Sequence, residues 1–149
     1  MFFKQLNGTY APCYNKKGRA MNSPQVPISW GELFDKITIL QIKLENLTSK
    51  NALENVEQEL KKLQSIFTQY CPKTMETTQL EGELRQINQQ LWDIEDKLRD
   101  KERANSFDDE FIQLARSVYI TNDERSRIKR KINELLGSEL VEEKSYAEY

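Results

Sequence analysis

Apolar residues recur along this chain at steps of three and four, and the rhythm breaks at three places, which predicts four helices. The first seam is Leu33, Ile37, Leu40, Leu44 and Leu47. Phe34, Ile39 and Ile42 fall off it, so this helix is apolar on more than one side and is expected to be the most buried element. After "TSKN" a second seam runs through Leu53, Val56, Leu60, Leu63, Phe67 and Tyr70 and stops at Cys71 and Pro72. A linker, "PKTMETT", leads to the third: Leu80, Leu84, Ile87, Leu91, Ile94 and Leu98. The fourth is Phe111, Leu114, Val118, Thr121, Arg125, Ile128, Ile132 and Leu135, ended by Gly137.

Local signals refine the boundaries. "SWGE" at 29–32 reads as a capping box, with Ser29 as N-cap and Glu32 reaching back to its amide. Within "NSFDD", Asn105 or Ser106 is the expected next N-cap, followed by acids that suit the first turn of a helix. "TNDE" at 121–124 also reads as a fresh start, which leaves a break in the fourth helix open. The first two helices have about twenty residues each and the last two about twenty-eight, roughly 42 Å at the α-helical rise. Short connections between helices of equal length imply antiparallel hairpins. The expected fold is therefore all-α: an elongated, coiled-coil-like bundle of two antiparallel hairpins over 29–137. An irregular basic arm over 1–28 precedes it, with three prolines and, in its first twenty residues, Lys4, Lys16, Lys17 and Arg19 without an acid. An acidic tail over 138–149 follows and is expected to fold back on the bases of 125–131.

Composition narrows the chemistry. At 149 residues the chain fits one domain, and 31% charged against 38% apolar residues suits long helices with narrow seams. A net charge of -2 calls for neither nucleic acid nor an anionic membrane. Histidine is absent, which removes the usual general base, zinc ligand and pH switch. Cys13 and Cys71 have no redox or zinc spacing, and no segment reads as a signal peptide or a membrane span. A cytoplasmic setting is the expectation.

The densest charge lies in "LWDIEDKLRDKER", where Asp93 with Lys97 and Glu95 with Arg99 form acid-first i,i+4 pairs away from the seam. Such charges keep a long helix dissolved. Asp93 with Asp96, and Glu54 with Glu57, have the i,i+3 spacing of helical metal sites, yet every acid has a base within one turn. No metal and no cofactor are expected. "RSRIKRK" at 125–131 points to several sides of its helix and makes no stripe for phosphates, so nucleic-acid binding is not expected.

Several residues do not fit a plain coiled coil. Trp92 lies one step off the seam among charges, and Ile112, Tyr119 and Ile120 are off-seam in the fourth helix. A second apolar face needs either the first hairpin or another subunit. Arg125 occupies a seam position beside Thr121: its stem snorkels out, or its guanidinium is held by an acid such as Asp93 or Asp96, or by an external anion. A hairpin folded near Ser106 brings Arg116 and Tyr119 toward Asp93 and Asp96. With Asn122 and Arg125 they form a patch that is either a polar layer or a ligand site.

The blocks "SWGELFDKITILQIKLENL", "LWDIEDKLRDKERA", "FIQLARSVYITNDERSRIKRKIN" and "GSELVEEKSY" resemble a family of small bacterial helical proteins, uncharacterised in function. The likeness spans about residues 26 to 146 and leaves out the arm before Pro24. It implies a setting beside glycosyltransferases in surface-polysaccharide gene clusters, with a glycosyltransferase as a partner, and supplies no catalytic residue. The function expected first is a non-enzymatic interaction protein, an accessory to surface-glycan assembly that forms a homo-oligomer, a dimer before other states. The alternative is a small all-α enzyme or binder of an anionic metabolite with an arginine-lined site between helices, in the manner of helical chorismate mutases. The spacing of bases does not match that family. A concave pocket lined by Arg116, Arg125 and Tyr119 would favour the enzyme, and a flat apolar face the interaction protein.

Overall fold

Four helices make up about three quarters of residues 25–145, which are those the computed structural model describes: α1 (Trp30–Asn46), α2 (Lys50–Tyr70), α3 (Met75–Arg103) and α4 (Asp109–Leu135). No strand occurs among them. Of the expected basic arm only 25–28 is described, as exposed, irregular backbone; the rest of the arm and the last four tail residues lie outside the described range.

Both hairpins are antiparallel. Across α1 and α2, the rings of Phe34 and Phe67 meet edge-on at 4.8 Å and Lys36 pairs with Glu59 at 2.9 Å. Across α3 and α4, Leu84, Ile87 and Leu91 join Ile128 and Ile132 in the main apolar cluster, far from the turn at 104–108. The hairpins do not share the work equally. α1 packs on α2, α3 and α4, whereas the backbone of α2 closely approaches only α1. The core is thus the α1–α3–α4 triangle, with α2 on its flank and Val56 as its only buried residue. The off-seam apolar residues of α1 explain this: Phe34 and Ile42 are fully buried, and eight of its residues are buried in all.

The helix ends correct three of the expectations. Met75, read as linker, is the first residue of α3, because Thr74 and Thr77 form a reciprocal capping box. Asn105 closes α3 instead of opening α4: it sits at φ 50°, while the Ser106 amide donates to Lys101 O and the Asn105 amide to Glu102 O. Asp108 is the true N-cap of α4, accepting from the Phe111 amide, and Lys101 holds its carboxyl far below the ordinary carboxylate range. α4 runs unbroken through "TNDE", so no fresh helix begins at Thr121. Gly137, at φ 60°, ends it as expected.

The N-terminus of α1 shows why "SWGE" is written as it is. A helix leaves its first amides without internal partners. Here the Trp30 amide donates to Ser138 Oγ, the Gly31 amide to Asn133 Oδ1 at 2.6 Å, and the Glu32 amide to Ser29 Oγ. Two of the three acceptors belong to α4 and the turn after it. Only half of the expected capping box forms, because the Glu32 carboxylate turns to Lys129. Glycine at 31 is a steric requirement: a Cβ there would stand 2.7 Å from the Lys129 carbonyl oxygen, a backbone atom that cannot swing away. We expect Gly31→Ala to destabilise the fold by about 1–2 kcal/mol in denaturant unfolding, overpacking outweighing the helix-propensity gain. Gly82→Ala in α3, where a Cβ meets nothing within 4 Å, should instead stabilise, by up to roughly 1 kcal/mol.

Candidate functional site

The polar groups of the molecule converge where α1, α4 and the tail meet. Lys129 leaves the basic run of α4 and is buried, its side chain 8% exposed. Its ammonium donates to Glu32 of α1 and to Glu142 of the tail at 3.1 Å, with Asp35 of α1 4.0 Å away. Burial alone would lower its pKa, but the two carboxylate hydrogen bonds and the charge of Asp35 outweigh it, so the ammonium is held above the ordinary lysine value. Asp35 is itself buried and accepts from Asn88 Nδ2 of α3 at 2.9 Å, and the same amide donates to Thr38 Oγ1. A continuous polar chain therefore runs from the tail through α4 and α1 to α3. One atom is left over: Asn88 Oδ1 is shielded and has no hydrogen-bond partner.

Beside this hub lies a cavity of about 200 Å³ between the C-terminal half of α4 and the tail. Arg127, Lys129, Arg130 and Lys144 line it, with Ser126, Asn133, Asp123 and Glu142. As expected from its sequence, the tail returns to the bases of α4. Glu143 binds Arg130 at 2.9 Å, Glu142 binds Lys129, and Lys144 donates to Ser126 Oγ.

The residues singled out from sequence do not form a single site. Asp93 accepts from Gln89 of its own helix, and Asp96 pairs with Arg99 one turn on, at 3.1 Å. Arg116 Nε donates to Tyr119 Oη at 3.4 Å within α4, and both are exposed. Asn122 is half-buried, its carbonyl accepting from Ser126 Oγ. Trp92 is half-buried as well. Arg125 stands half-buried on the seam with its Nε shielded and unpartnered, and no acid among the described residues pairs with it. Neither cavity described above nor the open groove along α1 and α2 is lined by Arg116, Tyr119 or Arg125. Among the described residues no cluster of three or more potential metal ligands occurs, and no helix is long and apolar enough to cross a membrane.

The side of α4 opposite the core exposes three large apolar residues. Ile112, Tyr119 and Ile120 are 51%, 40% and 46% exposed, so they do not pack on the first hairpin. The helical period places them on the side of α4 away from Thr121, Ile128 and Ile132.

Fold and site together define a small all-α bundle pinned by one buried lysine. Residues 24–149 match a family of unknown function (DUF6165), and the chain belongs to that family. The match leaves out residues 1–23, most of the basic arm. No curated protein and no solved structure matches the chain.

Two outcomes follow from these environments. Arg125→Leu should raise the melting temperature by completing the apolar seam and burying no orphaned acid, a gain of about 1 kcal/mol; a lower melting temperature would show that the guanidinium is structural. Burial raises the Glu142 pKa, but bonds from Lys129 and the charge of Lys144 outweigh it and set it below 4.5. A depressed acid contributes stability above its unfolded pKa that is lost as pH falls through the folded value. Glu142→Gln should therefore flatten the acid limb of a stability-against-pH profile and, because Lys129 loses one of the bonds that raise its pKa, soften the alkaline limb as well.

Proposed function

We propose that the protein is a non-enzymatic helical interaction module that self-associates through the outer face of α4. The observation that carries this reading is the exposed row of Ile112, Tyr119 and Ile120. Large apolar side chains exposed together on one side of a helix favour a contact face. A second copy is the fitting occupant, because α4 is electrically asymmetric along its length. Its first turn carries Asp109 and Glu110, and its second half carries Arg127, Arg130 and Lys131. Two α4 helices crossing antiparallel about the Tyr119–Ile120 step bring each acidic end against the other copy's basic half. The apolar residues then meet at the centre. That is the isologous arrangement a two-fold dimer requires.

The resemblance noted for the sequence blocks supports placing this module beside a glycosyltransferase in surface-glycan assembly. A second reading, binding of an anionic metabolite, draws support from the basic cavity beside Lys129 rather than from Arg116 and Arg125.

Light scattering is expected to give at least twice 17.6 kDa, falling toward the monomer value as salt screens the paired ends. Ile112→Glu combined with Ile120→Glu should yield a monomer of unchanged helicity. A wild-type monomer throughout the micromolar range would overturn the reading.

A further inference from the structure

The cavity between α4 and the tail has more to it than a solvated charge cluster. Two of its lining groups, Lys129 and Asn133, are buried within the fold and so are fixed in place. Asn133 spends its carboxamide oxygen on the Gly31 amide, and its Nδ2 donor has no hydrogen-bond partner among the described residues. Arg127, exposed at the rim, makes no ion pair among them either. Of the four bases around the cavity, Lys129, Arg130 and Lys144 are paired with carboxylates of the chain, which leaves Arg127 as the base without an ion pair among the described residues. Carboxylates of the chain itself already sit on two of these bases, Glu142 on Lys129 and Glu143 on Arg130.

We infer that this cavity binds a small phosphate monoester of a hydroxylated molecule, with the Glu142 carboxylate of the tail as its internal competitor. Donors reach the space from α4 (Arg127, Asn133) and from the tail (Lys144), that is, from different directions. A tetrahedral dianion with three terminal oxygens can accept from all of them, which a planar carboxylate cannot. Asp123 at the rim would repel a second phosphate but accept from a hydroxyl, which favours a hydroxylated remainder of the ligand. The apolar row Ile112 to Ile120 lies before the cavity, but the charged ends of the proposed self-contact reach Arg127 and Arg130 at its rim, so a second copy and the ligand compete there.

Titration of the full-length protein with glycerol phosphate, followed by nitrogen-15 NMR at constant ionic strength, tests the proposal. Saturable shifts of the Asn133 side-chain amide are expected, with no response to glycerol or to the matching chloride. Arg127→Ala, a rim change that leaves the core alone, should weaken binding roughly tenfold, the loss of one charge-assisted contact. Glu142→Gln should strengthen it, because Lys129 then loses a competing carboxylate. The Ile112→Glu, Ile120→Glu double variant, which frees Arg127 and Arg130 from the proposed self-contact, should bind at least as tightly as the wild type. Shifts that never saturate, that chloride reproduces, or that ignore both substitutions would overturn the proposal.

Discussion

A single buried ammonium decides how this chain closes. An unpaired charge in a protein interior costs several kcal/mol, so Lys129 must be met by acids wherever it is buried. Those acids come from two segments distant in sequence, Glu32 and Asp35 at the start of α1 and Glu142 beyond α4. Apolar seams of leucine and isoleucine are self-similar from turn to turn, so a helix can slide along them by 5.4 Å with little loss of burial. Such a slide would strand Lys129, separate the Gly31 amide from Asn133 and break the Asn88 bonds to Asp35 and Thr38. The apolar core supplies the drive to collapse. The polar chain supplies the register.

The same contacts explain why α1 is docked and α2 is not. α1 offers apolar groups on several sides, and its N-terminal amides are taken by Asn133 and Ser138. α2 has one apolar stripe, spends it on α1, and reaches the rest of the core only through Phe67 and Cys71 near its end. An element with so few buried contacts opens at lower free energy than the triangle beside it. Motion in this molecule should therefore concentrate in α2, leaving the α1–α4 junction and its cavity comparatively rigid.

Periodicity made the four helices, their pairing and the outward row on α4 legible, because each depends on residues within one element. The polar hub was not legible in that way. Arg125 and Lys129 are one turn apart and only about 40° apart around the helix, and the seam of a single hairpin favours the former. The third helix decides otherwise. α1 packs on the flank where Lys129 projects, widening the buried face of α4 beyond its own stripe, and leaves Arg125 half-exposed. Local propensity misled at "NSFDD" for a related reason: asparagine and serine serve both as N-caps and in the left-handed closing turn. The choice falls to Asp108, whose carboxylate is also held by Lys101 from the previous helix. Partial clues did exist. Gly31 in a first helical turn, Asn133 on the edge of an apolar stripe and Ser138 just after the closing glycine each signal a close approach, but none names its partner.

α4 thus presents three surfaces that the sequence blends into one pattern. Its inner seam holds the core, its flank meets α1 and the tail, and its outer side is apolar toward the N-terminal half. Arg116 at the middle of the outer row and Lys129 at the hub are thirteen residues apart, about 20 Å along a straight helix. Changes on the inner seam would damage every property of the protein at once, because all three surfaces depend on α4 being held straight against α1 and α3. Changes on the outer row or at the cavity rim leave that support intact. The separation has a physical origin: the buried lysine draws the tail to the C-terminal end of α4.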